Sequence, residues 1–427
     1  MNGFRVGAAV VCIIFVFSFV LIPFANADWT MFHADSSHSG SVSGNPTLTS
    51  TLLWNYSTRG NVESSPAVVG GVVYIGSNDH NVYALNATNG AKLWNYTTGA
   101  AGAEVESSPA VVNGVVYIGS DRGDMYALKA ANGAQLWNYS TGARNYLASS
   151  ATVTDGVVYV GSYIYNPKGV QNYCGYAYAL NATNGAKLWN FTAGGGIYSS
   201  PAVVGGVVYF GSEDDNVYAL NATNGAKLWS YPTGNFVESS PSVVGGVVYI
   251  GSDDNNVYAL NAANGAKLWS YPTGGIVFSS PAVVNSVVYI GSYDHNVYAL
   301  NAINGAKIWS YKTSRPVGSS PAVVGGTVYV GSFDGNFYAL KATDGSQVWN
   351  HTHIGGGSSP AVNGGVIYLG SGNAVYALGT TPASSSFTLS NTLFIIVAVV
   401  VAVVIVASVV FLMFRKRARA KALKRMQ

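Results

Sequence analysis

One element restates itself eight times along this chain and leaves few folds open to it. The triplet Ser-Ser-Pro, once Ser-Ser-Ala, ends at Pro66, Pro109, Ala151, Pro201, Pro241, Pro281, Pro321 and Pro360, with spacings of 43, 42, 50, 40, 40, 40 and 39 residues. A Tyr-Ala-Leu element also occurs eight times, from Tyr83 to Tyr376, and so does a tryptophan: Trp54, Trp94, Trp137, Trp189, Trp229, Trp269, Trp309 and Trp349. Each copy reads as four short strands. Ser-Pro-Ala-Val-Val comes first, and Gly-Gly, Asn113-Gly114 or Asp155-Gly156 supplies a two-residue hairpin turn. Val-Val-Tyr-Ile-Gly-Ser follows, then an Asp/Asn-rich turn, Val-Tyr-Ala-Leu-Asn-Ala, a Thr-Asn-Gly turn and Lys-Leu-Trp-Asn-Tyr-Thr. Four antiparallel strands in roughly forty residues, repeated, is the propeller pattern. No repeat has the 3.6-residue period that a helical solenoid needs.

The offset between the counts predicts how the ring closes. Trp54 precedes the first Ser-Ser-Pro, and no tryptophan follows the last Tyr-Ala-Leu at Tyr376. The chain thus starts with an orphan fourth strand, Leu52 to Thr58, and ends on a blade that lacks one. Pairing the two makes an all-β, eight-bladed propeller of four-stranded antiparallel blades over residues 52–379, with no exposed repeat ends.

Both ends of the chain carry address labels. Arg5, an apolar run to Phe24 and Ala25-Asn26-Ala27 have the form of a signal peptide over 1–27. After a lead-in at 28–51 and the propeller, a Ser/Thr-rich stalk at 380–392 precedes 22 uncharged residues, 393–414. That is the length of a transmembrane helix. A basic tail at 415–427 follows, which places the tail in the cytoplasm and the propeller on the extracellular side of a single-pass protein. The formal charge of +3 pools these compartments; between Asp28 and Asp344 the balance is 13 basic against 18 acidic residues, a net of −5. A mildly acidic body without a basic stripe argues against nucleic acid as a partner. The cysteines, Cys12 and Cys174, leave one thiol after leader removal and no intramolecular disulfide.

The segment Ala84-Leu85-Asn86-Ala87-Thr88-Asn89-Gly90-Ala91-Lys92-Leu93-Trp94 resembles the tryptophan-docking motif of propellers built from pyrroloquinoline-quinone-type repeats, with Asn at the motif's Asp and Thr positions. The opening Asp28-Trp29-Thr30-Met31-Phe32-His33-Ala34-Asp35, with His38 and Gly40, is similar to that family's lead-in. The resemblance covers residues 28 to 378 and implies that the eight tryptophans pack between blades. The family includes quinoprotein dehydrogenases, envelope-assembly lipoproteins of the BamB type, and surface proteins. Its dehydrogenases use a base aspartate, calcium ligands and commonly a disulfide between adjacent cysteines. Adjacent cysteines are absent here. Repeats so alike also offer little of the asymmetry that a catalytic site requires.

Departures from the repeat mark the candidate contacts. The residues before Ser-Ser-Pro vary: Glu63, Glu106, Ala148, Tyr198, Glu238, Phe278, Gly318 and Gly357. They are expected to ring the channel mouth, where carboxylates and aromatic faces suit a cation or a sugar. A ten-residue insertion after Ser162 brings Tyr163, Tyr165, Tyr173 and Tyr176, expected on a protruding loop as an adaptable contact surface. Sequons at Asn55, Asn95, Asn138, Asn190 and Asn350 directly follow a repeat tryptophan and should face outward as glycosylation candidates. The sequence therefore predicts a non-enzymatic surface propeller, with no metal or cofactor, that holds an extracellular protein or polysaccharide. A quinone- or cation-dependent oxidoreductase and an assembly factor of the BamB type are the alternatives.

Overall fold

The computed structural model describes residues 28–47, 49–99, 103–142, 145–164 and 174–379. The expected signal peptide, stalk, transmembrane helix and basic tail lie outside the described residues, as do Tyr165 and Tyr173. Among the described residues no helix is long and apolar enough to cross a membrane.

Eight antiparallel sheets form the predicted propeller. After the orphan strand β1 (Leu52–Ser57), the first blade is β2 (Ala67–Val69), β3 (Val72–Ser77), β4 (Asn81–Asn86) and β5 (Lys92–Thr97), hydrogen-bonded in that order. The innermost strand has three residues, and it turns into the second through Gly70 and Gly71, whose φ values of 58° and 77° fit a primed hairpin turn. Asn113-Gly114 and Asp155-Gly156 take the same conformation. Six blades repeat the first, and β1 completes the eighth by pairing with Ala374–Gly379. The third blade gains a fifth strand, Asn145–Tyr146, along the extended edge of Val157–Ile164.

Blades are locked to one another at three radii. At the outside, seven of the eight tryptophans, all but Trp349, lie on the glycine of the next blade's turn: a Cβ on Gly90 would stand 2.6 Å from the Trp54 ring. The indole N–H donates to a carbonyl beside that turn, Trp54 to Ala87 at 2.9 Å and Trp229 to Ala262 at 3.0 Å. The tyrosine of Val-Val-Tyr donates to the same oxygen, as Tyr74 and Trp94 both do to Ala130. At mid-radius one aspartate in each of five turns is satisfied within its own blade. Tyr83, Tyr218, Tyr258, Tyr298 and Tyr338 each donate to an aspartate four residues earlier, so those aspartates serve turn geometry.

At the axis the second serine of every Ser-Ser element joins a closed ring. Each backbone N–H donates to the next blade's serine Oγ at 2.9–3.0 Å, from Ser65 to Ser108 and onward until Ser359 returns to Ser65. The first serine accepts from the glycine of Gly-Ser in its own blade, as Ser64 Oγ does from Gly76 at 3.1 Å. These buried hydroxyls replace backbone partners that a radial arrangement of strands cannot supply.

The lead-in is structural too. It runs across the hairpin end of the channel, and its carbonyls accept one N–H from each of six innermost strands. Val68 donates to Trp29, Val111 to Thr30, Val203 to Ser36, Val243 to Ser37, Val283 to Ser39 and Val323 to Gly40, at 2.6–3.0 Å. The third blade carries Thr152 where its neighbours have alanine or serine, and His38 bridges Thr152 Oγ1 and the Pro241 carbonyl at 3.1 and 3.2 Å. Trp29, His33 and His38 are all fully buried in this plug.

Candidate functional site

The plug closes one end of the channel, and the other end stays open. A cavity of about 520 Å³ is lined by all eight residues that precede Ser-Ser, Glu63 through Gly357, with seven members of the serine ring below them and Phe32 of the lead-in among the lining residues. The fourth-to-first-strand loops therefore do form the mouth, and the plug forms the floor.

A second circle of residues stands beside the first, and sequence reasoning overlooked it. Each Gly-Ser is followed by one variable residue: Asn78, Asp121, Tyr163, Glu213, Asp253, Tyr293, Phe333 and Gly372. Tyr293, Phe333 and Gly372 line the cavity directly. The signal was legible, because these positions vary within a motif that otherwise repeats.

Together the circles divide the mouth into sectors. Glu63, Glu104, Glu106 and Asp121 belong to the first two blades, and Glu213, Glu238 and Asp253 to the fourth and fifth. Burial, together with the charges of Glu106, Glu104 and Glu63, pushes the Asp121 carboxyl up to about 8. Burial and the neighbouring Asp253 and Glu213 raise Glu238 to about 7, and burial beside Asp254 raises Asp253 to about 6. Burial likewise raises Glu213, so both glutamate carboxyls of this sector are pushed toward the neutral form. Between the acidic sectors three tyrosines stack, Tyr146 on Tyr163 at 5.1 Å and Tyr163 on Tyr198 at 4.1 Å. Beyond the second sector, Phe278, Tyr293 and Phe333 make a chain of ring contacts at 6.4 and 6.0 Å. Glycines at 318, 357 and 372 leave the remaining arc without side chains.

The insertion differs from expectation. Its edges continue the blade as strands Val157–Ile164 and Gly175–Asn181, in register with Tyr163 opposite Gly175. Tyr163 therefore backs the lining residue Tyr198, on which it stacks, and burial raises its hydroxyl to about 12. Tyr176 lies elsewhere, next to Tyr178 and within 3.7 Å of Cys174 Sγ. Tyr163 and Tyr176 stand on opposite faces of the sheet, because successive residues of a strand alternate sides.

Seven of the eight repeat tryptophans, Trp54, Trp94, Trp137, Trp189, Trp229, Trp269 and Trp309, are buried between blades, whereas Trp349 is half-buried. The eighth blade has no Thr-Asn-Gly turn to receive it. Trp349 and Tyr329 donate instead to the carbonyl of Thr47. Thr47 stands seven residues before Trp54, as Ala87 stands seven before Trp94, so Thr47 takes the register position of the acceptor residue ahead of the orphan strand. Asn55, Asn95, Asn138, Asn190 and Asn350 are exposed on outermost strands, on the face away from the tryptophans. Asn86, Asn181 and Asn221 instead cap turns through their Oδ1 atoms.

Residues 32–166 and 174–381 match the model of a family of pyrroloquinoline-quinone-like propellers, "Outer membrane protein assembly factor BamB". No curated protein matches the sequence. Among solved structures the fold is similar to a europium-containing methanol dehydrogenase (TM-score 0.72, 14% identity, 83% of this chain and 98% of the other). It is also similar to BamB from Moraxella catarrhalis (0.63, 19%, 78% and 98%). A quinohemoprotein alcohol dehydrogenase from Comamonas testosteroni aligns as well (0.69, 15%, 84% and 81%). At such identities the likeness is one of fold.

Proposed function

The chain belongs to the pyrroloquinoline-quinone-like propeller family of the BamB model, and we propose that it is a partner-binding propeller at a membrane surface, not an oxidoreductase. In this reading the segment 393–414 anchors it as a single-pass protein, the propeller stands on the extracellular side, and the mouth holds a protein or glycan partner. Outward sequons on the outer strands would carry glycans clear of that mouth.

One observation carries the reading: the positions at which near-identical repeats diverge gather around one cavity. Selection for stability alone would leave the mouth as uniform as the serine ring. Quinone chemistry fits the residues poorly. Pyrroloquinoline quinone is a tricarboxylate, and among the described residues the charged ones that line the cavity are Glu63, Glu106 and Glu238, with no lysine, arginine or histidine. Like charges would oppose the cofactor in a partly desolvated site. An envelope-assembly role like that of the BamB relatives remains a special case of partner binding.

The test compares wild type with a variant carrying Glu63→Gln, Glu106→Gln, Glu238→Gln and Phe278→Ala. The variant should fold with an unchanged circular dichroism spectrum and fail to retain the partner that wild type crosslinks at the cell surface. Equal retention would move the contact off the mouth. Quinone recovered in stoichiometric amount, with cofactor-dependent dye reduction, would replace this reading by the oxidoreductase.

A further inference from the structure

We infer that the mouth is a receptor for organic cations, the guanidinium and ammonium groups of basic side chains on a partner protein. This rests on the mouth being the contact surface and names the chemistry it selects.

The first ground is an unmet need for positive charge. Two acidic sectors face a cavity that no basic residue lines among the described residues. Asp121 is only 8% exposed, lies within electrostatic reach of the lining residues Glu106 and Glu63, and its Oδ1 has no hydrogen-bond partner; Asp253 Oδ1 is likewise buried and unpartnered. Buried carboxylate oxygens are ordinarily satisfied; Asp79, Asp214, Asp254, Asp294 and Asp334 in the turns are, whereas the turn residue Asp215 also has an unpartnered Oδ1. Asp254, one residue after Asp253, accepts from Tyr258 and Asn256. Asp121 and Asp253 are thus the variable residues beside the mouth whose carboxylates hold an unpartnered buried oxygen.

The second ground is aromatic. The Tyr146–Tyr163–Tyr198 stack separates the acidic sectors, and Phe278, Tyr293 and Phe333 stand beyond them. Carboxylates alternating with ring faces suit a weakly hydrated organic cation, which gains from both. A bare metal ion instead requires several oxygens converging in one shell. Among the described residues no group of three or more His, Cys, Asp or Glu meets that geometry. Phe278 and Phe333 are 42% and 43% exposed at the rim. Exposed aromatics around an acidic cavity fit a partner that covers the rim while its basic side chains reach inward.

Proton linkage gives the inference a signature. A cation at Glu238 or Asp121 favours their ionised forms, so binding should release protons near neutral pH and strengthen as pH rises from 5.5 to 8.5.

The experiment is calorimetric titration of the full chain with acetyl-Gly-Arg-Gly-Arg-Gly-amide and with its counterpart holding citrulline at both arginines, a neutral near-isostere. The arginine peptide should bind, the citrulline peptide at least roughly tenfold more weakly, and Glu106→Gln with Glu238→Gln should erase most of that difference. Proton release, read by repeating the titration in buffers of different ionisation enthalpy, should accompany only the arginine peptide. Equal affinity for the two peptides, or no binding of either by folded wild type, overturns the inference. If the carboxylate variant loses the cellular partner while the peptides bind alike, mouth binding stands and cation selection falls. If the partner is retained, the mouth reading itself falls.

Discussion

The two ends of the central channel are built from the same eight strands and have opposite characters. At the hairpin end, six valine N–H groups are each met by a carbonyl of the lead-in, and Trp29, His33 and His38 are packed out of contact with water. At the other end, loops of unlike sequence surround an open cavity with unpartnered buried carboxylate oxygens. Burial drives the titrating groups of the two ends in opposite directions. His33 and His38 fall to about 3 and about 4, while Asp121, Glu238 and Asp253 rise. The strands between them carry no such distinction. Symmetry supplies the wall, and the parts that escape it make one end a seal and the other a socket.

Removing the seal should have the largest effect. Deleting Asp28 to Ser41 strips six carbonyl acceptors from the innermost strands and withdraws Trp29 and Met31 from the cores of two blades. At about 1 kcal/mol per hydrogen bond, plus ~2 kcal/mol or more for the buried Trp29, the loss should be at least ~5 kcal/mol. Urea denaturation of the truncated chain would measure it. A change below about 2 kcal/mol would mean that the lead-in merely rests on a ring that is stable without it.

A cut through the wall should matter less than loss of the seal, and it should touch both ends equally. Trp229→Ala removes a ring that is 9% exposed and leaves the Ala262 carbonyl short of a donor. The expected cost is about 3–5 kcal/mol. Trp349→Ala should cost less, because its ring is half-buried and has no glycine turn beneath it. Equal losses at the two positions would show that docking depends on the indole hydrogen bond and not on the stacked glycine.

The wall was legible in the sequence because its signals are local and repeated. Strand order, the Gly-Gly turns and closure by an orphan strand all follow from the period and the offset of Trp54. The seal was not legible, because its contacts join single residues to positions up to several hundred residues away, as Ser41 joins Val323. Nothing in the run from Asp28 to Gly40 announces a set of carbonyls spaced to meet one blade each. Thr152 could have served as a hint, since a polar residue at a core position of the innermost strand needs a buried partner. The socket was legible by half. The first circle of variable residues stood out before an invariant triplet, and the second was hidden because Asp/Asn-rich turns already had a sufficient explanation. Tyr163 was misplaced for a related reason: an insertion reads as a loop, yet its first residues prolong a hairpin whose partners lie just beyond it.

The smallest effect concerns acid and base, and it should separate the two ends most sharply. For the socket, a carboxyl raised above its ordinary range binds a proton in the folded state that it would release when unfolded. Stability from Asp121 and Glu238 is therefore present at pH 4 and is lost as pH climbs through about 7 and about 8. For the seal the sign reverses. Histidines held neutral to about 3 and about 4 bind fewer protons folded than unfolded, so stability falls as pH drops below 6.5. Wild type should thus lose urea resistance on both sides of a maximum between pH 5 and 7. Asp121→Asn together with Glu238→Gln should flatten the alkaline side alone, with a gain in stability at pH 8.5 and little change at pH 5. A socket that becomes more stable when its carboxylates are neutralised is one whose charges are kept at a cost, as expected for a binding surface. An unaltered alkaline limb in the double variant would mean that water already satisfies those carboxylates, and the contrast between socket and seal would then be one of shape alone.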